Sequence, residues 1–90
     1  MTYSPLPYKY IGSYHMCMEA MDIQVLFGKI CKEYREKLQL SQEKFALLIN
    51  MDRTYYASVE NGKRNISIKN IEKIAKGFNI SLSELFSSLK

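Results

Sequence analysis

Residues 41 to 62, SQEKFALLINMDRTYYASVENG, constrain this chain more than any other stretch, because they spell two short helices separated by one tight turn. Ser41 is a good N-cap, and Phe45, Ala46 and Ile49 follow it at the spacing of one face of an amphipathic helix. That helix breaks at Asn50, a residue that tolerates the left-handed backbone a sharp interhelical turn needs. Met51 fills the space beneath the turn. Asp52 then caps a second helix with Tyr56 and Val59 facing inward, which leaves Arg53, Thr54, Ala57 and Ser58 pointing away from the core. Two donors beside two small side chains suit a surface that enters a groove and touches base edges.

The rest of the chain supplies three more helices. The first runs from about Asp22 to Leu38, with Phe27, Cys31, Tyr34 and Leu38 on one face. The motif contributes the second and third. A fourth begins at Ser67, carries Ile68, Ile71, Ile74, Ala75 and Phe78 at helical spacing, and ends around Lys76 and Gly77, where glycine is the expected punctuation. A fifth opens with the capping box Ser81-Leu82-Ser83-Glu84 and carries Leu85, Phe86 and Leu89. No segment alternates with a strand's period over a useful length. The expected fold is all-α, a compact five-helix domain over residues 22 to 90.

Residues 1 to 21 differ in character, with both prolines, four of the seven tyrosines and only Lys9 and Glu19 as full charges. Three readings stand for them: an arm packing its tyrosines on the domain or on a partner subunit, a flexible tail, or sequence upstream of a start at Met16, Met18 or Met21. The tail and start-site readings are favoured.

Ninety residues, 47% of them hydrophobic, fill one compact core and not a second. The chain lacks an apolar run near the ~18 residues a membrane helix needs, and its start has no signal-peptide pattern, so a cytoplasmic location without membrane contact is expected. Cys17 and Cys31 fit no paired zinc spacing, and His15 with Cys17 has no further ligands nearby, so neither metal nor cofactor is expected. The net charge is +4. Its placement is more telling, because residues 61 to 76 carry Lys63, Arg64, Lys69, Lys73 and Lys76 against Glu72 alone. A basic face after the second motif helix is what phosphate contact requires, although Lys73 and Lys76 read better as a solvated face.

Two helices so joined, the second polar outside, have the layout of a helix-turn-helix DNA reader. The runs Leu40-Ser41-Gln42-Glu43-Lys44-Phe45-Ala46 and Glu60-Asn61-Gly62, with the turn between them, resemble the Cro/repressor-like, xenobiotic-response-element type, helix-turn-helix family. Residues 52 to 74, DRTYYASVENGKRNISIKNIEKI, are similar to the controller proteins of bacterial restriction-modification systems, in which an acidic cap, an Arg-Thr-Tyr start and a following Arg-Asn-aliphatic-[ST]-Ile segment recur. The resemblance covers roughly residues 22 to 89 and implies a lambda-repressor-like domain. It further implies that Gln42 holds a backbone phosphate, that the loop with Arg64 and Asn65 reaches flanking phosphates, and that Arg35 pairs with Glu60 to lock the first helix onto the third. Gln39 stands where many relatives have glycine, and Leu47 and Leu48 where they commonly carry charge, so at least one of these leucines is expected to be exposed. Tyr56 takes an inward place that is usually aliphatic.

From position alone, Arg53 begins the reading helix and suits bidentate contact with guanine, against a phosphate contact or an ion pair with Asp52 or Glu60. Thr54 suits a thymine methyl, Tyr55 a phosphate and Ser58 the same outer surface, with Lys63 and Arg64 gripping phosphate. Gly62 supplies the left-handed conformation that ends the helix. The function expected is a transcriptional regulator that binds double-stranded DNA as a homodimer, since one such domain makes few base contacts and two present reading helices one DNA turn apart. Ile66, Phe78, Leu82, Phe86 and Leu89 are the expected interface, being more apolar surface than the domain can bury. No catalytic constellation is visible. The rival reading is an antitoxin-like or adaptor protein that uses the fold mainly to hold a protein partner.

Overall fold

The computed structural model of the chain describes residues 22 to 89. Helices α1 (Ile23–Lys37), α2 (Gln42–Leu48), α3 (Arg53–Glu60), α4 (Ile68–Phe78) and α5 (Leu82–Ser87) follow one another there, and no strand occurs among the described residues. The expectations for residues 1 to 21, including the His15–Cys17 pair, lie outside them. None of these helices is long and apolar enough to cross a membrane.

Each helix starts on a side-chain cap. Asp22, Ser41, Asp52, Ser67 and Ser81 accept hydrogen bonds from the backbone N–H of Gln24, Lys44, Tyr55, Asn70 and Glu84 at 2.9 to 3.3 Å, satisfying donors that a helix end leaves orphaned. The ends are equally uniform. α1 to α4 each stop at a residue with φ between 55° and 73°, namely Gln39, Asn50, Gly62 and Asn79. Around each, two reverse hydrogen bonds close the last turn, as in Asn50 N–H to Leu47 O at 3.1 Å and Met51 N–H to Ala46 O at 2.9 Å. The residue after three of these stops, Leu40, Met51 or Ile80, tucks against the core. A left-handed stop followed by an apolar anchor is thus the device that folds the chain back on itself at three of its corners.

The core is a stack of aromatic rings. Phe45 and Phe78 lie 4.5 Å apart and nearly parallel, Tyr34 stacks on the other side of Phe78 at 5.2 Å, and Tyr56 tilts against Phe45 at 5.1 Å. Ile74, Leu85, Val59 and Cys31 close around them. Phe78, expected at the dimer interface, is therefore core: it is 6% exposed and bridges α1, α2 and α4. Burying a ring of that size stabilises by roughly 1.5–3 kcal/mol.

Three further expectations are corrected. Gly77 does not end α4, which continues to Phe78 and stops at Asn79; it is small because a Cβ there would collide with Ile49 and lie 2.9 Å from the ring of Phe45. Ile68 lies in the first turn of α4 but is 75% exposed, and Leu38, counted on the inner face of α1, is also largely exposed. In both cases the periodicity runs past the end of the packed surface.

One close approach sets the geometry of the whole motif. A Cβ on Gly28 would lie 2.5 Å from the carbonyl oxygens of both Val59 and Glu60. Glycine in the middle of α1 thus lets the C-terminal end of α3 press directly against the α1 backbone.

Candidate nucleic-acid interface

The site is built outward from Glu60, the last residue of α3. Its carboxylate is buried and takes four hydrogen bonds: from Arg35 Nε at 2.6 Å and Nη2 at 3.0 Å, from Gln42 Nε2 at 2.9 Å and from the Tyr56 hydroxyl at 2.6 Å. A fifth bond carries the network into the backbone, from Arg35 Nη1 to Leu40 O at 2.7 Å. One carboxylate therefore ties together α1, α2, α3 and the α1–α2 corner. The fork-shaped guanidinium meets it with two N–H groups, the strongest geometry available to such a pair.

The electrostatics follow from this. Burial alone would raise the Glu60 pKa, but bonds from Arg35, Gln42 and Tyr56 outweigh it and hold the carboxyl below its ordinary value. The bond to Glu60 raises Arg35 further above its already high value. Burial, followed by the bond to Glu60, pushes the Tyr56 hydroxyl upward, and burial does the same for the nearby Cys31 thiol. At neutral pH the centre holds an ion pair with a neutral phenol donating into it.

The expected Arg35–Glu60 pair is thus present in the geometry, with two partners that spacing did not reveal. Gln42 turns one N–H inward to Glu60, and its side-chain amide carries a second hydrogen to donate. Tyr56 is core, as its inward place implies, but its hydroxyl makes it part of the polar lock.

Beyond this lock lies a cleft of about 620 Å³ lined by Arg35, Ser41, Gln42, Glu43, Arg53, Thr54 and Ala57. It runs between the start of α2 and the outer face of α3. Arg53 and Thr54 are exposed. Among the described residues, the carboxylate paired with Arg53 is neither Asp52 nor Glu60 but Glu43, 4.0 Å away, with both side chains in solvent; such a pair is worth ~0–1 kcal/mol and does not hold the arginine back.

Tyr55, Ser58 and Arg64 form a second unit. The Arg64 guanidinium carbon sits 4.5 Å over the Tyr55 ring, Arg64 Nε donates to Ser58 Oγ at 3.1 Å, and Ser58 Oγ donates to Tyr55 O at 2.6 Å. Ser58 is thereby a bracket for Arg64 more than a free group on the outer surface. Lys63 and Asn65 are exposed on the same loop. Gly62 has φ 73° and accommodates the turn that delivers them. Among the described residues, no three of His, Cys, Asp and Glu cluster as metal ligands.

A helix that offers Arg and Thr outward, steadied from behind and flanked by a basic loop, defines a helix-turn-helix reader, and the comparisons agree. The helix-turn-helix family model matches residues 32 to 85. The control protein C.MunI from a Mycoplasma species is 57% identical over 70 residues, covering 77% of this chain and 95% of that one. Among solved structures, the restriction-modification controller protein C.AhdI from Aeromonas hydrophila superimposes with a TM-score of 0.67 at 44% identity, covering 70% of this chain and 96% of that one. The controller C.Esp1396I, solved as a tetramer on its natural 35 base-pair operator, gives 0.71 at 32% identity, covering 77% and 91%. The chain belongs to the helix-turn-helix family and, within it, to the restriction-modification control proteins.

Proposed function

We propose that this protein is a cytoplasmic transcriptional regulator, without chemistry of its own, that binds an operator in double-stranded DNA as a homodimer and controls restriction-modification genes, its own included. The observation that carries the reading is the division of α3: its inner side is fixed to α1 and α2 through Glu60, while Arg53 and Thr54 are exposed beside an open cleft. Arg53 reads guanine and Thr54 an adjacent methyl or phosphate. Gln42, through its second amide hydrogen, together with Tyr55, Lys63, Arg64 and Asn65, holds the backbone on either side. Ser58 contributes by seating Arg64.

The dimer face is the apolar cleft of about 170 Å³ at the other end of the loop, lined by Ile23, Phe27, Ile66, Ile71, Phe86 and Leu89, among others. Leu82 packs nearby on α5. Phe86 is 41% exposed and Ile23 59%, a large apolar rim for so small a domain. Two copies joined there carry two reading helices, the arrangement a symmetric operator requires.

The test is a gel shift with purified protein on the DNA just upstream of its coding sequence, beside random DNA of equal length, at two salt concentrations. The expected result is retention of the upstream DNA at salt that strips the random DNA. Equal affinity for both at each salt would overturn the reading.

A further inference from the structure

We propose that the loop of residues 63 to 66 belongs to the DNA surface and the dimer face at once, so that the partner copy completes the reading site by fixing Arg64, an inference that rests on the homodimer described above. A single copy does little to hold this loop. Its start is firm, because a Cβ on Gly62 would lie 2.9 Å from Val25 Cα, which puts the end of α3 hard against the first turn of α1. Its finish is firm too, with Ser67 capping α4. Between these ends, among the described residues, no backbone–backbone hydrogen bond engages Arg64, Asn65 or Ile66.

Side chains hold the stretch instead, against two different surfaces. On the reading helix, the Arg64 guanidinium lies over Tyr55 and donates to Ser58, contacts that water reaches and competes for. At the dimer face, Arg64, Asn65 and Ile66 line the apolar cleft of about 170 Å³ together with Phe86 and Leu89. Ile66 packs against the core, whereas Arg64 and Asn65 are exposed. Arg64 thus belongs to both surfaces, and four residues are too few for one surface to move without the other.

In a lone copy the cleft opens to water, with Phe86 left 41% exposed at its side. A second copy related by a two-fold axis brings its own apolar rim to this cleft, and a side chain that enters it presses on the loop. Residues without backbone ties lose their freedom at that moment, so DNA meets an Arg64 that is already ordered. The linkage runs both ways: loss of the partner loosens Arg64, and loss of the Arg64 side chain loosens the dimer. A lone copy offers DNA Arg53 and Thr54 beside a loosely held Arg64. The dimer offers all three in place.

The experiment needs no DNA. Sedimentation of the full chain first gives the concentrations over which it passes from monomer to dimer. Nitrogen-15 NMR relaxation of the backbone and of the Arg64 Nε–H is then measured on the dimer and on Phe86→Glu, with Ile23→Glu as a second monomeric variant should the first fail to fold. Order parameters at Arg64 and Asn65 are expected to reach the rigid value of about 0.85 in the dimer and to fall below about 0.6 in the monomeric variant, while residues 55 to 60 stay rigid in both. In parallel, Arg64→Ala is expected to raise the dimer dissociation constant about fivefold, whereas Lys76→Ala, which removes the same charge from the last turn of α4, leaves it unchanged. Equal order at Arg64 in dimer and monomer overturns the proposal, as does an Arg64→Ala dimer no weaker than the full chain's or no weaker than that of Lys76→Ala. A full chain that sediments as a monomer at every concentration sinks instead the homodimer reading beneath it.

Discussion

On its inner side α3 ends in a carboxylate with four donors around it and almost no contact with water; on its outer side, one helical face away, Arg53 has a wet partner at 4.0 Å and Thr54 is exposed. The two sides belong to eight consecutive residues. Inner residues have exchanged conformational freedom for fixed geometry, and outer residues have kept freedom for a partner to take up. Recognition and stability are thereby assigned to different atoms of one helix, and substitutions on the two sides should fail in different ways.

The sharpest break of that division is Glu60→Ala. It leaves the Arg35 guanidinium and the Tyr56 hydroxyl without their acceptor and should destabilise by ~3–5 kcal/mol, read as a lower melting temperature with DNA affinity lost only as the fold is lost. An unchanged melting temperature would mean that the inner side is not what holds α3. Acid should reproduce part of this effect. The Glu60 pKa is depressed from 4.5, so its contribution is complete above that pH and is lost as pH falls through the lower folded value; a Glu60→Gln variant should show a shallower loss of stability in that range.

Arg53→Ala tests the outer side. It should cost ~1–3 kcal/mol on the operator and relax the choice of base at one position, with melting unaffected. Equal losses on operator and random DNA would remove Arg53 from the reading role. Tyr56→Phe keeps the ring in the core and removes one donor to Glu60, costing about 1.5 kcal/mol of stability; a loss of affinity without loss of stability would show that the lock tunes the reading helix as well as holding it. Lys63→Ala should weaken binding to all DNA alike and reduce the slope of log affinity against log salt by about one. The smallest effect expected is that of starting the chain at Met21. All five helices remain, so melting, dimerisation and operator affinity should match the full chain, and a truncated protein that sediments as a monomer where the full chain is dimeric would make residues 1 to 21 part of the assembly.

Much of the inner side was legible in the sequence because its signals are local. Ser41, Asp52 and Ser81 announce helix starts through side-chain chemistry, Asn50 announces a corner through its tolerance of the left-handed region, and Tyr56 and Val59 face inward by spacing. The lock itself was not local. The Arg35–Glu60 pair was suggested only by family resemblance, and the inward turn of Gln42 depends on how α2 and α3 lie against each other, which no periodicity encodes. Gly28 carried no signal, since its neighbours in space are carbonyl groups far along the chain. Phe78 was misassigned for a related reason: a surplus of apolar residues was read as surface, whereas the space between Tyr34 and Phe45 needed a flat ring to fill it.

The four left-handed stops carry a consequence for how long a molecule of this protein lasts in a cell. Gly62 adopts its conformation freely and Asn50 and Asn79 with little difficulty, but Gln39, at φ 60°, bears a Cβ that the left-handed region penalises by roughly 1–2 kcal/mol. Glycine would recover part of that, after allowance for its looser unfolded chain, for a net gain of about 0.5 kcal/mol. So small a difference alters the unfolded fraction about twofold, and proteases act on that fraction. At this corner one side chain therefore alters, by about that factor, the share of molecules open to degradation at any moment.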